Sequence, residues 1–126
     1  MKSKKEIKKI FLSLPMKGLA HEQIEDKVKE ETKKILELYP GVEVIKGWDT
    51  LQEDSSVKKH ALEYLGNGIQ RMGKADAIWL CDGWDRARGC KMEWLCALMY
   101  GLDVIPSTEP VSSELKDAAV TFSNYK

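Results

Sequence analysis

The chain has 126 residues, of which 43% are hydrophobic and 32% charged, and its 20 Lys and Arg side chains balance 20 Asp and Glu side chains. This length fits one globular domain, residues 1–126, with a single active site. The balanced charge excludes the strong positive field that draws proteins to nucleic acids or acidic membranes, so we expect a small-molecule partner.

Three cysteines, Cys81, Cys90 and Cys96, are an odd number without C-x-x-C spacing, and the chain has two histidines. This pattern favours neither a disulfide framework nor a zinc site, and the cysteines are expected to be small core residues. No run approaches the roughly 18 apolar residues of a membrane span. We therefore predict a cytoplasmic protein that binds no metal and no cofactor and contacts no membrane.

Hydrophobic periodicity predicts strands that alternate with helices along the chain. The predicted strands are residues 7–14, 42–46, 76–81 and 103–106. The predicted helices are residues 21–38, 57–72 and 89–101, with a short helix at 112–119 and a final strand at 120–122 in the tail. The charged residues of the first helix are expected to form a solvated face. Gly66 and Gly68 weaken the second helix, which indicates close packing, a ligand contact or a break there.

Strands that alternate with helices and carry continuous apolar runs predict a parallel sheet with helices on both faces. We expect a small flavodoxin-like or Rossmann-like α/β three-layer sandwich with a parallel sheet of four or five strands. Ligands of such sheets bind at the carboxyl ends of the strands, where the strand order switches. This rule selects two loops, SLPMKG after the first strand and DGWDRARG after the third.

The first loop is predicted to line the ligand site. Its sequence matches neither the G-x-x-x-x-G-K-[ST] phosphate loop nor the G-x-G-x-x-G dinucleotide turn. It also lacks the Ser/Thr-rich loop expected for a flavin phosphate and the paired acids of a response-regulator receiver, so four common functions of α/β folds are excluded. The substrate-binding residues predicted here are Ser13, Leu14, Pro15, Met16, Lys17 and Gly18.

The loop after the third strand leads directly into the third helix, whose free amides and dipole favour an anion. Arg86 and Arg88 beside this helix start either bind a phosphate or belong to an exposed loop in which Asp85 pairs with an arginine. Trp84 is expected at the exposed rim of the pocket. The substrate-binding residues predicted here are Asp82, Gly83, Trp84, Arg86, Arg88, Gly89 and Cys90.

Glu93 is the candidate catalytic residue. It lies four residues after Gly89 on the same helical face, and helical side chains lean toward the helix N-terminus, so its carboxylate is expected at the same pocket mouth. Lys91 and Glu93 are about 200° apart around the helix axis, so one of them faces something other than bulk water. The alternative is a carboxylate that only stabilises the helix dipole, by about 0.3–1 kcal/mol.

Three segments together, IFLSLPMKG, YLGNGIQRM and GKADAIWLCDGWDRARGCKMEWLCALMYG, resemble the nucleoside 2-deoxyribosyltransferase-like superfamily, especially its phage and bacterial proteins of unknown function. The resemblance covers residues 7–106, and its most specific part is the strand, the loop and the G-x-x-x-E helix start. It implies cleavage or transfer of the N-glycosidic bond of a nucleoside 5′-monophosphate or related nucleotide. It also implies that Glu93 is the nucleophile and that the protein forms a homodimer or a higher homo-oligomer.

Two positions depart from the pattern of the characterised relatives. The tyrosine at the end of the first strand is replaced by Phe11 or Ser13, and the aspartate of the second helix is replaced by Gly68. Because that aspartate helps to handle the base, a non-catalytic protein that binds or sequesters a nucleotide derivative is the alternative function. Gly68 is expected at an exposed helix position, where Gly68→Asp would restore the acid and raise base release.

Overall fold

The computed structural model describes residues 7–48, 58–105 and 117, with the backbone alone for residues 58–61. In this part of the chain, four strands alternate with three α-helices, as predicted. The strands are β1 (Lys9–Ser13), β2 (Glu43–Ile45), β3 (Ala77–Leu80) and β4 (Asp103–Ile105). The helices are α1 (His21–Leu38), α2 (Lys58–Met72) and α3 (Arg88–Tyr100). The predicted final strand, and all of the predicted tail helix except Asp117, lie outside the described residues.

Local sequence sets the helix ends. At the start of α1, the Ala20 N–H donates to Gln23 Oε1 at 2.8 Å, which satisfies one of the amides that a helix start leaves free. At the end of α3, Gly101 adopts a left-handed conformation with φ 78°, and the Leu102 N–H donates to the Ala97 carbonyl at 2.9 Å. Glycine is favoured at such a helix end because it lacks Cβ.

The four strands form one parallel sheet in the order β2-β1-β3-β4. The chain passes from β1 to its neighbour β2 and then crosses back to β3 on the other side of β1. The strand order therefore switches between β1 and β3, whose last paired residues are Ser13 and Leu80. This architecture confirms the predicted small α/β three-layer fold, and the two predicted loops follow the two strands that flank the switch point.

Alternation along the strands divides the core into two layers, one on each face of the sheet. Ser13 follows Phe11 by two residues, so alternation directs both side chains toward the layer that contains α3. The buried residues on the α1 side are Ile10, Leu12, Leu14, Ile24, Ile35, Trp48, Ala77, Trp79 and Cys81. The buried residues on the α3 side are Phe11, Met72, Ile78, Leu80, Trp84, Cys90, Trp94 and Ala97.

Several apolar helix residues are exposed, contrary to expectation. The periodicity places Leu36 and Leu38 on the buried face of α1, but they are 41% and 65% exposed. Leu36 is exposed because it lies about 100° around the helix from the fully buried Ile35, and Leu38 is the last residue of α1. Met92 and Met99 of α3 are likewise 45% and 39% exposed.

Glu31 of α1 serves the core as well as the solvated face. Trp79 Nε1 donates to Glu31 Oε1 at 3.0 Å, and Lys34 Nζ lies 2.9 Å from Glu31 Oε2. Because Trp79 is buried, its indole N–H needs an acceptor inside the protein. The prediction that the charged residues of α1 form a purely solvated face is therefore wrong for Glu31.

We expect Glu31→Ala to lower the free energy of unfolding by about 1–3 kcal/mol, because it leaves the Trp79 N–H without its acceptor. Glu31→Gln keeps an oxygen at this place and should recover most of the loss. The control is Glu30→Ala, an exposed glutamate on the same helix, which should change stability by less than about 0.5 kcal/mol. Urea denaturation measures all three, and equal losses for Glu30→Ala and Glu31→Ala would contradict the assigned role.

Candidate active site

The position of Glu93 follows from the buried stripe of α3. Cys90, Trp94 and Ala97 face the sheet and are at most 3% exposed. Glu93 is three residues after Cys90 and four before Ala97, so helical geometry places it on this inward face. Its side chain is half-buried. The expectation that either Lys91 or Glu93 faces something other than bulk water is confirmed, and the inward carboxylate is that of Glu93.

Ser13 is the hydrogen-bond partner of Glu93. Ser13 Oγ donates to Glu93 Oε1 at 2.7 Å, a short distance typical of a hydroxyl that donates to a carboxylate. Ser13 is 1% exposed and is the last residue of β1. The bond therefore connects the carboxyl end of β1 to α3 next to the switch point. Ser13 was predicted as a substrate-binding residue, and its hydroxyl is instead directed at the candidate nucleophile.

The second carboxylate oxygen of Glu93 lies against α2. A Cβ atom added to Gly68 would stand 2.9 Å from Glu93 Oε2, closer than real Cβ contacts allow. Phe11 Cζ and Gly47 Cα would lie 3.7 Å and 3.9 Å from the same point. Glycine at position 68 thus lets α2 approach the carboxylate. Of the three alternatives that the sequence leaves open for this helix, the structure shows close packing at Gly68. Gly66, by contrast, is exposed and faces open space.

Burial sets the protonation behaviour of Glu93. Desolvation raises the pKa of the Glu93 carboxyl from 4.5 to about 7, and the hydrogen bond from Ser13 opposes this increase because it favours the charged form. Burial also raises the pKa of the neighbouring Cys90 thiol to about 12, so the thiol is uncharged at neutral pH. Glu93 is therefore the group beside Ser13 that changes its charge near pH 7.

Fewer side chains of the first loop than predicted could line a ligand site. Leu14 is only 6% exposed and belongs to the core on the α1 side, so the prediction that it lines a ligand site is not supported for its side chain. The reason is strand alternation, which gives Leu14 the same direction as Leu12. Met16 packs partly against the same core, whereas Lys17 and Gly18 are exposed.

The two predicted loops meet where Pro15 approaches Gly83. A Cβ atom added to Gly83 would lie 3.7 Å from Arg86 Nη2 and 3.7 Å from Pro15 Cγ. Gly83 has φ 87°, a left-handed conformation that favours glycine, and it begins a short 3₁₀ turn at Trp84–Arg86. The structure therefore brings the two loops together, as their place at the switch point predicts.

The start of α3 retains the features of an anion site. No side chain in the described part of the protein caps this helix at Ala87, and the first intrahelical bond runs from the Lys91 N–H to the Ala87 carbonyl at 3.0 Å. The Ala87 N–H donates to the Trp84 carbonyl, so the amides available to a ligand are those of Arg88, Gly89 and Cys90, which precede the first intrahelical bond. The charged residues near this start, Asp82, Arg86 and Arg88, are exposed, and Gly89 is half-buried.

The prediction that Trp84 lies at an exposed pocket rim is wrong. Trp84 is 6% exposed, and its ring centroid lies 5.3 Å from that of Trp94 at an interplanar angle of 43°. The 3₁₀ turn explains the difference, since it folds the indole back onto α3 instead of extending it into solvent. Cys90 is also core, at 3% exposure, so its predicted contact with substrate is left to its backbone amide.

The expectation that Gly68 occupies an exposed helix position is also wrong. Gly68 is buried against Phe11, Gly47 and the Glu93 carboxylate. An aspartate there would place a second carboxylate directly against Glu93, and like charges in contact disfavour ionisation of both. The sequence does not reveal Gly47 as a partner, since a glycine in a loop is too common to signal a tertiary contact.

Asp76 lies at the opposite end of the sheet and has a structural role. Its Oδ2 accepts hydrogen bonds from the Lys8 and Lys9 N–H groups at 2.8 and 2.9 Å, which fixes the start of β1. These two bonds lower the pKa of the Asp76 carboxyl. Asp76 therefore caps the start of β1 from the amino end of β3.

The described residues contain no group of three or more His, Cys, Asp or Glu side chains that could hold a metal ion. Within the same ranges, each helix is too short or too polar to cross a membrane. No protein-family model, curated protein or solved structure matches the chain. The geometry around Glu93 is therefore the main structural basis for a functional argument.

We predict that Glu93→Gln is more stable than the native protein above pH 7. Because the folded-state pKa of Glu93 is raised from 4.5 to about 7, the stability contributed by its proton is complete below pH 4.5 and is lost as the pH rises through about 7. The neutral amide does not undergo this loss, which is on the order of 3 kcal/mol.

Denaturation curves of both proteins between pH 4 and pH 9 test this prediction. All other titrating groups are shared, so the difference between the two curves isolates Glu93. The two stabilities should be similar near pH 4.5 and diverge up to about pH 7. A constant difference across the whole range would mean that the Glu93 carboxyl titrates as an ordinary exposed group.

Proposed function

We propose that this protein cleaves or transfers the N-glycosidic bond of a nucleoside 5′-monophosphate or a related nucleotide, with Glu93 as the nucleophile. The observation that carries the proposal is a half-buried carboxylate, held at 2.7 Å by the Ser13 hydroxyl next to the switch point of a parallel sheet. Desolvated carboxylates with raised pKa values cluster at functional sites. The resemblance supplies the reaction class, and the geometry supplies a carboxylate suited to it.

In the proposed reaction, a carboxylate oxygen of Glu93 attacks the anomeric carbon of the sugar. The bond between this carbon and the base nitrogen breaks, and its electron pair leaves with the base, which takes up a proton. Water then attacks the same carbon, loses a proton and gives the free sugar phosphate, or a nitrogen of a second base attacks, loses a proton and gives a new nucleotide. In both cases the bond between the carbon and Glu93 breaks, and its electron pair restores the carboxylate. The negative charge of Glu93 also stabilises the positive charge that develops on the sugar, as in retaining glycosidases.

The environment of Glu93 fits a nucleophile that must be ionised near neutral pH. Burial strengthens the interaction of the carboxylate with a developing positive charge, because the local dielectric constant is low. Burial alone would also keep the carboxyl protonated. The Ser13 hydroxyl limits this effect by donating to Oε1 and favouring the charged form. The pair therefore combines a dry site with a usable fraction of carboxylate.

The start of α3 is the proposed binding position of the 5′-phosphate. The residues from Gly89 to Glu93 span about 6 Å along the helix axis, which is close to the length of a ribose phosphate. The free amides of this helix start and the exposed guanidinium of Arg88 provide donors for the phosphate oxygens.

The second candidate function is binding or sequestration of a nucleotide derivative without turnover. The observation in its favour is Gly68, which stands where the resemblance implies an aspartate that handles the base. With Gly68 packed against Glu93 Oε2, this helix position provides no acid for the leaving base. Binding of a nucleotide would then stabilise the fold by mass action without release of base.

The two candidate functions are separated by measuring base release from a panel of ribo- and deoxynucleoside 5′-monophosphates. We expect the native protein to release base with a kcat/KM that rises with pH and levels off above about pH 7, because the nucleophile must be ionised. Glu93→Gln and Glu93→Ala should remain folded and release none. Thermal stabilisation by a nucleotide that is never cleaved would support the second candidate and remove the first.

We predict that Arg88→Ala weakens binding of a nucleoside 5′-monophosphate roughly 10–150-fold, because one charge-assisted hydrogen bond contributes about 1.5–3 kcal/mol. Binding of the matching nucleoside should change little. Lys74→Ala is the control, since it removes a positive charge from an exposed position that precedes β3, at the opposite end of the sheet. Calorimetric titration of both ligands measures the effect. Equal losses of affinity for the nucleoside and the monophosphate would show that Arg88 does not bind the phosphate.

A further inference from the structure

α2 carries two glycines in its interior, and they have different surroundings. Glycine is less favourable than alanine inside a helix. A glycine at either position therefore suggests a local constraint that a Cβ atom would violate. Gly66 is exposed, and a Cβ atom there would meet nothing within 4 Å. Gly68 is buried, and a Cβ atom there would stand 2.9 Å from Glu93 Oε2. Only the second glycine contacts the candidate site.

We propose that Gly68 is a positioning residue: its missing side chain provides the space in which the Glu93 carboxylate can keep its hydrogen bond to Ser13. In this view, Gly68 is a required part of the site and not merely the place of a lost acid. Only the measurement of base release rests on the proposed function. The position of the carboxylate can be tested without any substrate.

The contacts around Gly68 determine which group would yield to a larger side chain. A Cβ atom at this position would lie 3.7 Å from Phe11 Cζ and 3.9 Å from Gly47 Cα, both ordinary van der Waals distances. Only Glu93 Oε2, at 2.9 Å, is too close. This oxygen is at the end of a flexible side chain, so the carboxylate can move while the backbones of α2 and β1 stay in place.

The direction of this movement follows from the neighbours of the carboxylate. Oε1 is held by Ser13, and Cys90 occupies the buried side of α3 next to it. Because Ser13, Cys90, Gly68 and Phe11 lie on its buried sides, we expect a displaced Glu93 side chain to move outward, toward solvent. The carboxylate would then leave the Ser13 hydroxyl and lose the burial that raises its pKa.

This geometry predicts that Gly68→Ala keeps the fold and loses the site. Alanine is the better helix former, and an outward carboxylate is better hydrated, so the melting temperature at pH 8 should not fall. The titration midpoint of Glu93, followed by carbon-detected NMR of its side-chain carboxyl, should move from about 7 toward 4.5. Base release should fall to the level of Glu93→Ala.

Gly66→Ala is the matched control, because it makes the same substitution two residues away on the same helix. It should raise the melting temperature similarly and leave the titration midpoint and base release at native values. A Gly68→Ala protein whose Glu93 still titrates near 7 would overturn the proposal. If native protein releases no base while the midpoint moves as expected, the proposed function fails and the positioning role of Gly68 stands.

If the Gly68→Ala protein fails to fold, a second variant decides whether contact with Glu93 is the cause. Removal of the Glu93 side chain in Gly68→Ala/Glu93→Ala leaves only ordinary contacts around the new methyl group. If the contact with Glu93 caused the failure, the double variant should fold and melt above Glu93→Ala alone. A double variant that also fails to fold would show that Gly68 serves helix packing instead of the carboxylate, and would contradict the proposal.

Discussion

The hydrogen bond from Ser13 Oγ to Glu93 Oε1 joins the end of β1 to α3 beside the switch point of the sheet. A carboxylate on the buried face of a helix is costly unless it is paired or hydrogen-bonded. Here the partner is a neutral hydroxyl, which satisfies one oxygen without neutralising the charge. The raised pKa of Glu93 is the consequence of this incomplete compensation. The reactivity that we propose depends on the same property.

Much of this arrangement could be predicted from sequence because it depends on local period. The alternation in β1 fixes which side of the sheet Ser13 faces, and the helical spacing of α3 places Glu93 with Cys90 and Ala97. The parallel sheet and the two loops at the switch point follow from the order of the elements. Each of these features can be predicted from a single helix or strand, or from the general rule for ligand sites in α/β folds.

The parts that the sequence did not reveal depend on how elements approach one another. The burial of Trp84 needs a 3₁₀ turn, and the burial of Gly68 needs α2 to lie against both Gly47 and Glu93. No periodicity encodes such contacts. Gly68 illustrates their cost: it weakens α2 and encloses a charged group, both of which lower stability. A site that is less stable than its alternatives is a common feature of proteins whose activity depends on strained or desolvated groups.

We propose that the Glu93 carboxylate forms a covalent bond to a sugar. A nucleoside 5′-monophosphate with fluorine at C2′ tests it most directly, because fluorine destabilises the positively charged transition state and slows release of the bound sugar. Mass spectrometry of the digested protein should find the sugar phosphate on the peptide that contains Glu93, and Glu93→Gln should remain unmodified. A nucleotide that protects the native protein against thermal unfolding yet leaves no adduct on Glu93 would contradict the claim.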